Sequence, residues 1–238
     1  MKHRIAFCFL FILCTFSTST SQAQVLMSLI FGDKLNNENN LFGVHVDYSW
    51  NTMSGVNADG TMKSFNMGLF FTHKLDENWH LNVEMLAKYQ RGADGIPFYD
   101  LGDPNLNAFY KDAKVLRKIN YLSIPAALRY AYNGKYFIEL GPQLSFHTKA
   151  KDVLEVDLPQ GDMTLDVDIR DQVQRFEFGF LTGIGMYIDK ERVNALGVRF
   201  QGGFSDVMKN LDGNQHNSQV AIYANLPIGR GKMKTKED

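Results

Sequence analysis

Residues 119–148 read INYLSIPAALRYAYNGKYFIELGPQLSFHT, and their periodicity decides the fold. Two apolar-rich runs, Ile119–Tyr132 and Lys135–Thr148, flank Asn133 and Gly134. Asn-Gly is the strongest two-residue hairpin signal, because a type I′ turn needs φ > 0 at both central positions. Along the second run Tyr136, Ile138, Leu140, Pro142, Leu144 and Phe146 share one face, and Phe137, Glu139, Gly141, Gln143, Ser145 and His147 the other. The first face is wholly apolar, with aromatics at both ends. The second is small and polar, with one carboxylate in the middle. A strand of a water-soluble sandwich hides its apolar face and charges the other. Here the polar face carries glycine and little charge, as though it too were enclosed. Lipid outside and a packed polar interior satisfy both faces, which is the pattern of a membrane β-barrel.

Working outward, the same alternation recurs in Leu41–Trp50, Ser64–Lys74 and Trp79–Gln90 upstream, and in Val173–Ile188, Val193–Phe204 and Asn217–Ile228 downstream. In the third of these runs Trp79, Leu81, Val83, Met85, Ala87 and Tyr89 share the outward face. The total is eight strands, each long enough at about 9–11 residues to cross a bilayer at the usual tilt. Short connections follow strands two, four and six; long ones follow strands one, three, five and seven. The expected fold is therefore all-β, an eight-stranded antiparallel up-and-down transmembrane β-barrel over residues 41–229, with short periplasmic turns, long external loops and both termini periplasmic. Trp79, Tyr130, Tyr132 and Tyr136 fall near the short turns, and Trp50, Tyr89, Phe146 and Phe176 near the long loops, as two aromatic girdles. Arg91–Lys118 reads as a long loop rich in Gly, Pro and Asp. Lys149–Gln172 reads as a second excursion in which Val153–Leu158 and Thr164–Ile169 continue as a hairpin past the membrane, with an acidic, solvated face.

Ahead of the barrel, residues 1–23 carry the marks of a secretory signal. Met1–Arg4 is a basic head, Ile5–Phe16 an apolar core too short to span a bilayer, and Ser21-Gln-Ala23 a small-residue cleavage site. Residues 24–40 are expected as a periplasmic segment, with a short helix favoured within 25–35, and residues 230–238 as a basic tail. Cys8 and Cys14 both lie in the signal, so no disulfide or thiolate site is expected in the remaining chain of roughly 215 residues, a length that suits one domain. The net charge of −1 offers no field for nucleic acid. These features point to the outer membrane of a Gram-negative bacterium.

Three segments carry a family resemblance: Leu29-Ile-Phe-Gly-Asp-Lys-Leu35, Asn120-Tyr-Leu-Ser-Ile-Pro125 and Phe137-Ile-Glu-Leu-Gly-Pro-Gln143. With them the chain resembles the PorT-like outer-membrane barrels of the Bacteroidetes and, more distantly, the OmpA-type eight-stranded barrels. The resemblance implies an outer-membrane barrel. The best-known namesake assists protein secretion and surface attachment, and no catalytic residues carry over. The end of the chain departs from common outer-membrane proteins: no aromatic closes it.

The inward faces carry Asp47, Glu84, Lys88, Arg129, Glu139, Glu177 and Arg199. An eight-stranded barrel is just wide enough for side chains to fill it, and an unpaired buried ion is costly, so these charges are expected to pair as a plug, Glu84 with Arg129 on the adjacent strand. His45, His73, His80, His147 and His216 are scattered without metal-ligand spacing, so no metal and no cofactor are expected. Ser145 and His147 sit at i, i+2 but face the lumen rather than an outer edge, so no catalytic residues are assigned. Thr182-Gly-Ile-Gly-Met186 reads as lumen space rather than a phosphate loop. The expected function is a non-enzymatic structural, anchoring or secretion-accessory role. Its expected partners are outer-membrane lipid, lipopolysaccharide and a secretion-machinery or envelope protein, with no nucleic acid. A narrow pore or a receptor working through its loops is the alternative, and a lipid-modifying enzyme the third.

Overall fold

A computed structural model describes residues 36–158, 161–189, 191–209 and 211–228. The expected signal, the helix favoured within 25–35 and the basic tail lie outside these residues. The elements are β1 (Asn40–Met53), β2 (Met62–Lys74), β3 (Trp79–Ile96), α1 (Pro104–Tyr110), β4 (Val115–Tyr132), β5 (Tyr136–Leu158), β6 (Gly161–Asp168), β7 (Phe176–Tyr187), β8 (Ala195–Gly203) and β9 (Asn217–Pro227). Eight of the strands close a ring in the order β1-β2-β3-β4-β5-β7-β8-β9, with β9 returning to β1, and every neighbouring pair is antiparallel. β6 stands outside the ring and pairs with β5 alone.

Closure follows from the period of two. Along β4 every odd-numbered residue from Val115 to Ala131 is buried and the even-numbered ones face out. On the outer surface Ile138, Leu140 and Ile184 are 61%, 62% and 64% exposed, as part of an apolar belt that water would not tolerate and lipid would cover. Trp79 and Tyr130 meet at the short-turn end of that belt, with ring centroids 4.9 Å apart, and Phe146 and Phe176 at the long-loop end, 5.0 Å apart.

Three local features differ from the sequence reading. The β4–β5 turn holds three residues rather than two, because Tyr132 pairs with Tyr136. Asn133 and Gly134 do take positive φ, at 48° and 66°. On both strands the outward residues are even-numbered, and pairing even with even requires an odd loop. Second, β3 bulges between Leu86 and Tyr89, where the register with β4 slips by one. Ala87 and Lys88 both face out, so Tyr89 turns into the lumen instead of joining the outer girdle, and Lys88 leaves it. Third, Arg91–Lys118 is only partly a loop. β3 runs on to Ile96, β4 begins at Val115, and α1 lies between them, with Asp103 capping its first turn by accepting from the Asn105 and Leu106 amides.

β3, β4, β5 and β6 therefore continue past the ring as a sheet. It folds over a second core that includes Ile96, Tyr110, Val115, Leu154, Ile169 and Met208. This head roofs the long-loop end of the barrel.

Candidate functional site

Inward parity brings Asp47 of β1, Glu84 of β3, Arg129 of β4, Glu139 of β5, Glu177 of β7 and Arg199 of β8 into the lumen, all buried. Lys88 is the exception. The bulge puts it on the outer surface, where its ammonium lies 5.6 Å from the centre of the Phe65 ring.

The centre of the lumen is organised by Arg199. Its Nη1 and Nη2 donate to the two Glu84 oxygens at 2.7 and 2.9 Å, and its Nε donates to Glu139 Oε1 at 2.8 Å. β8 and β3 stand on opposite sides of the ring, so this guanidinium crosses the lumen. Glu139 also accepts from Arg129 Nη2 at 2.9 Å and from the Tyr223 hydroxyl at 2.8 Å. The two guanidiniums lie over aromatic rings, Arg129 over Phe137 at 4.2 Å and Arg199 over Tyr223 at 4.4 Å.

Arg129 is thus not the partner of Glu84. It stands opposite His80 on β3 and opposite Glu139 on β5, and it bonds Glu139. Glu84 sits four residues beyond His80, two pleats too far along β3 to compete.

His45 adds a contact that the list of obvious charges misses. Its Nε2 lies 3.2 Å from Asp47 Oδ2, and its Nδ1 lies 2.7 Å from Asn225 Oδ1 and 3.4 Å from Glu84 Oε1. Both nitrogens face oxygen acceptors, an arrangement satisfied when both carry hydrogen. Asp47 is held further by Asn66, whose Nδ2 donates at 2.8 Å.

Nearer the head a second buried layer pairs Arg91 with Glu177. Glu177 also accepts from Asn217 Nδ2 at 2.7 Å, and Arg91 Nη2 donates to the Tyr89 hydroxyl at 3.0 Å. Arg91 fell in a predicted loop. A bulge in β3 would have placed it inward, but apolar and polar residues still alternate through Ala87, Lys88 and Tyr89, so the sequence does not mark that bulge.

The head has its own buried ion pair. Arg117 Nε and Nη2 donate to Asp152 at 2.8 and 2.7 Å, and the Tyr99 hydroxyl donates to Asp152 Oδ2 at 2.8 Å. Burial pushes the Tyr99 hydroxyl pKa up, and the Asp152 charge adds to the shift. The acidic excursion is accordingly not one solvated face. Asp152 is buried, while Asp166 meets Lys151 and Asp168 meets Arg170 on the surface.

Ser145 and His147 are not brought together. The Ser145 hydroxyl bonds Ser123 at 2.8 Å and accepts from Gln143, whereas His147 Nδ1 contacts the Gln174 carbonyl at 2.9 Å near the rim. Among the described residues no group of three or more His, Cys, Asp or Glu side chains could hold a metal. In the Gly-Ile-Gly stretch, a β-carbon on Gly185 would lie 2.2 Å from Phe137 Cζ, so the glycine gives that ring its place in the lumen.

A family model described as outer membrane protein beta-barrel domain matches residues 26–209. No curated protein matches. Among solved structures the chain is similar to Ail, the attachment invasion locus protein of Yersinia pestis, with 11% identity, TM-score 0.40, and 79% of this chain and 97% of that chain covered. It is similar to Neisserial surface protein A, with 12% identity, TM-score 0.42 and the same coverage of 79% and 97%. OprG from Pseudomonas aeruginosa matches with 12% identity, TM-score 0.36, and 82% and 96% coverage.

Proposed function

Because the chain belongs to the outer membrane protein beta-barrel domain family, we propose that it is a closed barrel with a structural, anchoring or secretion-accessory role, presenting its head outside the cell. The observation that carries this reading is the guanidinium of Arg199 bridging Glu84 and Glu139 from the far wall of the lumen. The Arg91–Glu177 layer lies beyond it, so ion pairs fill the lumen at two levels, and the apolar head is stacked above them. A filled lumen cannot pass solutes without breaking buried ion pairs, which is costly. The finer, PorT-like assignment draws on Leu29–Leu35, which lies outside the described residues, and on two described segments, Asn120–Pro125 and Phe137–Gln143. These two segments form the β4–β5 seam, and Glu139 within them anchors the central network.

Planar-bilayer recordings of the purified barrel test the closure. Rare, small events are expected; steady conductance of porin size would refute the plug. Orientation is tested in intact cells with a membrane-impermeant maleimide. Glu155→Cys in the head should react and Lys135→Cys at the short turn should not. The reverse pattern would place the head in the periplasm.

The specific observation that favours a second reading, a surface receptor, is the head itself. It has a hydrophobic core and a buried Arg117–Asp152 pair of its own, so it holds a defined surface rather than a set of loose loops.

A further inference from the structure

We propose that the outward face of β4 and β5, just beyond the apolar belt, binds the phosphate-bearing headgroup of a glycolipid in the surrounding leaflet through Lys118 and Lys149. The inference rests on the reading of the chain as a membrane-embedded barrel and assigns its lipid contact to particular residues.

The position follows from strand geometry. At about 3.3 Å per residue and a tilt of about 40°, each residue climbs roughly 2.5 Å along the membrane normal. From the girdle residue Tyr130 to Leu122, where the unbroken run of outward apolar residues on β4 ends, the climb is about 20 Å; to Lys118 it is about 30 Å. The apolar band of such barrels is about 25 Å tall, so Lys118 lies at headgroup level. On β5 the climb from Tyr136 to Phe146 is about 25 Å, and Lys149, three residues on, lies about 7 Å higher.

The charges there are out of balance. Lys118 stands directly opposite Lys151 in the β4–β5 register, and Asn120 opposite Lys149. Like charges directly opposite one another destabilise a sheet. β6 answers only part of this. Lys151 Nζ reaches Asp166 at 2.5 Å and Arg170 reaches Asp168 at 2.7 Å. That leaves the ammonium groups of Lys118 and Lys149 with no hydrogen-bond or ion-pair partner among the described residues. The nearby Lys88 is engaged with Phe65.

These side chains line a concavity of about 410 Å³ on the outer wall, together with Gln90 and Asn120. Four cations, Lys118, Lys149, Lys151 and Arg170, face two carboxylates, Asp166 and Asp168, an excess of two positive charges. A phosphate monoester carries nearly two negative charges at neutral pH. The amides of Gln90 and Asn120 offer donors and acceptors to sugar hydroxyls. Directly below, Leu122 and Phe146 continue the apolar wall on which acyl chains would lie. Along β4 the outward order is charge at Lys118, amide at Asn120 and apolar wall from Leu122, which matches a phosphorylated glycolipid rather than a soluble anion.

The test uses the full mature chain in symmetric phosphatidylcholine vesicles. These carry a bisphosphorylated glucosamine-disaccharide lipid, the same lipid dephosphorylated, or neither lipid with inorganic phosphate added. Native mass spectrometry after detergent extraction counts retained lipid, and heat-modifiable migration checks the fold. The wild type should retain the phosphorylated lipid at least tenfold over the dephosphorylated one. Lys118→Gln/Lys149→Gln should abolish that preference, Lys118→Arg/Lys149→Arg should keep it, and Lys135→Gln at the far end should leave it unchanged. Equal retention of both lipids by the wild type overturns the proposal. So does an unchanged preference in the double Gln variant, or binding of inorganic phosphate alone. Should the double variant fail to fold, Lys149→Gln alone and the wild-type preference decide. Both vesicle leaflets carry the lipid, so a reversed barrel would still give these results; only the maleimide labelling in intact cells would register that error.

Discussion

At the scale of single residues the molecule turns on Arg199. It holds two carboxylates from different strands and stacks on Tyr223, so its charge is compensated on every side. Removing one partner leaves a buried ion with less than it needs. Glu84→Ala should cost about 3–5 kcal/mol in reversible unfolding from lipid vesicles, the range for breaking a buried pair. Adding Arg199→Met should recover part of that loss. Adding Arg129→Met should not, because Arg129 is bonded to Glu139. If Arg129→Met rescues instead, the pairing across the lumen is wrong. Alternation in sequence places Glu84 and Arg199 on inward faces, but it cannot choose between partners. Cross-strand neighbours are close in register; a partner across the lumen leaves no trace in spacing.

At the scale of elements, parity governs. The β4–β5 hairpin illustrates how much of it was legible. Tyr132 and Tyr136 both belong to apolar even-numbered faces, and that alone demands a loop of odd length. The Asn-Gly signal identified the turn and its positive φ values, while the strands fixed its size. β3 shows the limit. Its alternation holds from Trp79 to Leu86, then two consecutive residues face out and the faces exchange. A cysteine scan distinguishes the two registers. Lys88→Cys should react with a lipid-soluble maleimide in vesicles, and Tyr89→Cys, whose native side chain is 1% exposed, should be protected. Reaction of Tyr89→Cys with protection of Lys88→Cys would restore an unbroken strand. A bulge is a local accommodation of the partner strands' packing, so its position depends on β2 and β4 as much as on β3.

At the scale of the whole molecule, the barrel and its head form one stack, joined by strands that run through both. The head's attachment should weaken in alkali. The Tyr99 hydroxyl is held above its usual pKa by burial and by Asp152. Its contribution is complete below about pH 10, where the unfolded side chain is still neutral, and is lost as pH rises toward the raised value. Limited proteolysis between pH 8 and 11.5 should show the head becoming cleavable while heat-modifiable migration persists. Tyr99→Phe should remove that alkaline step and leave the head looser at every pH. An alkaline step unchanged in Tyr99→Phe would assign it to another group. The architecture is legible in the chain alone: eight alternating runs with short and long connections in turn admit little but an antiparallel barrel, because each strand carries one face that needs lipid and one that needs enclosure. The same alternation places most of the lumen charges. Folding in three dimensions settles which charge meets which, that Lys88 leaves the lumen while Tyr89 and Arg91 enter it, and that the long loops condense into a head. Period is written along one strand and survives in the chain as pattern. Contacts across a closed ring depend on shear, bulges and side-chain reach, which are properties of all the strands at once.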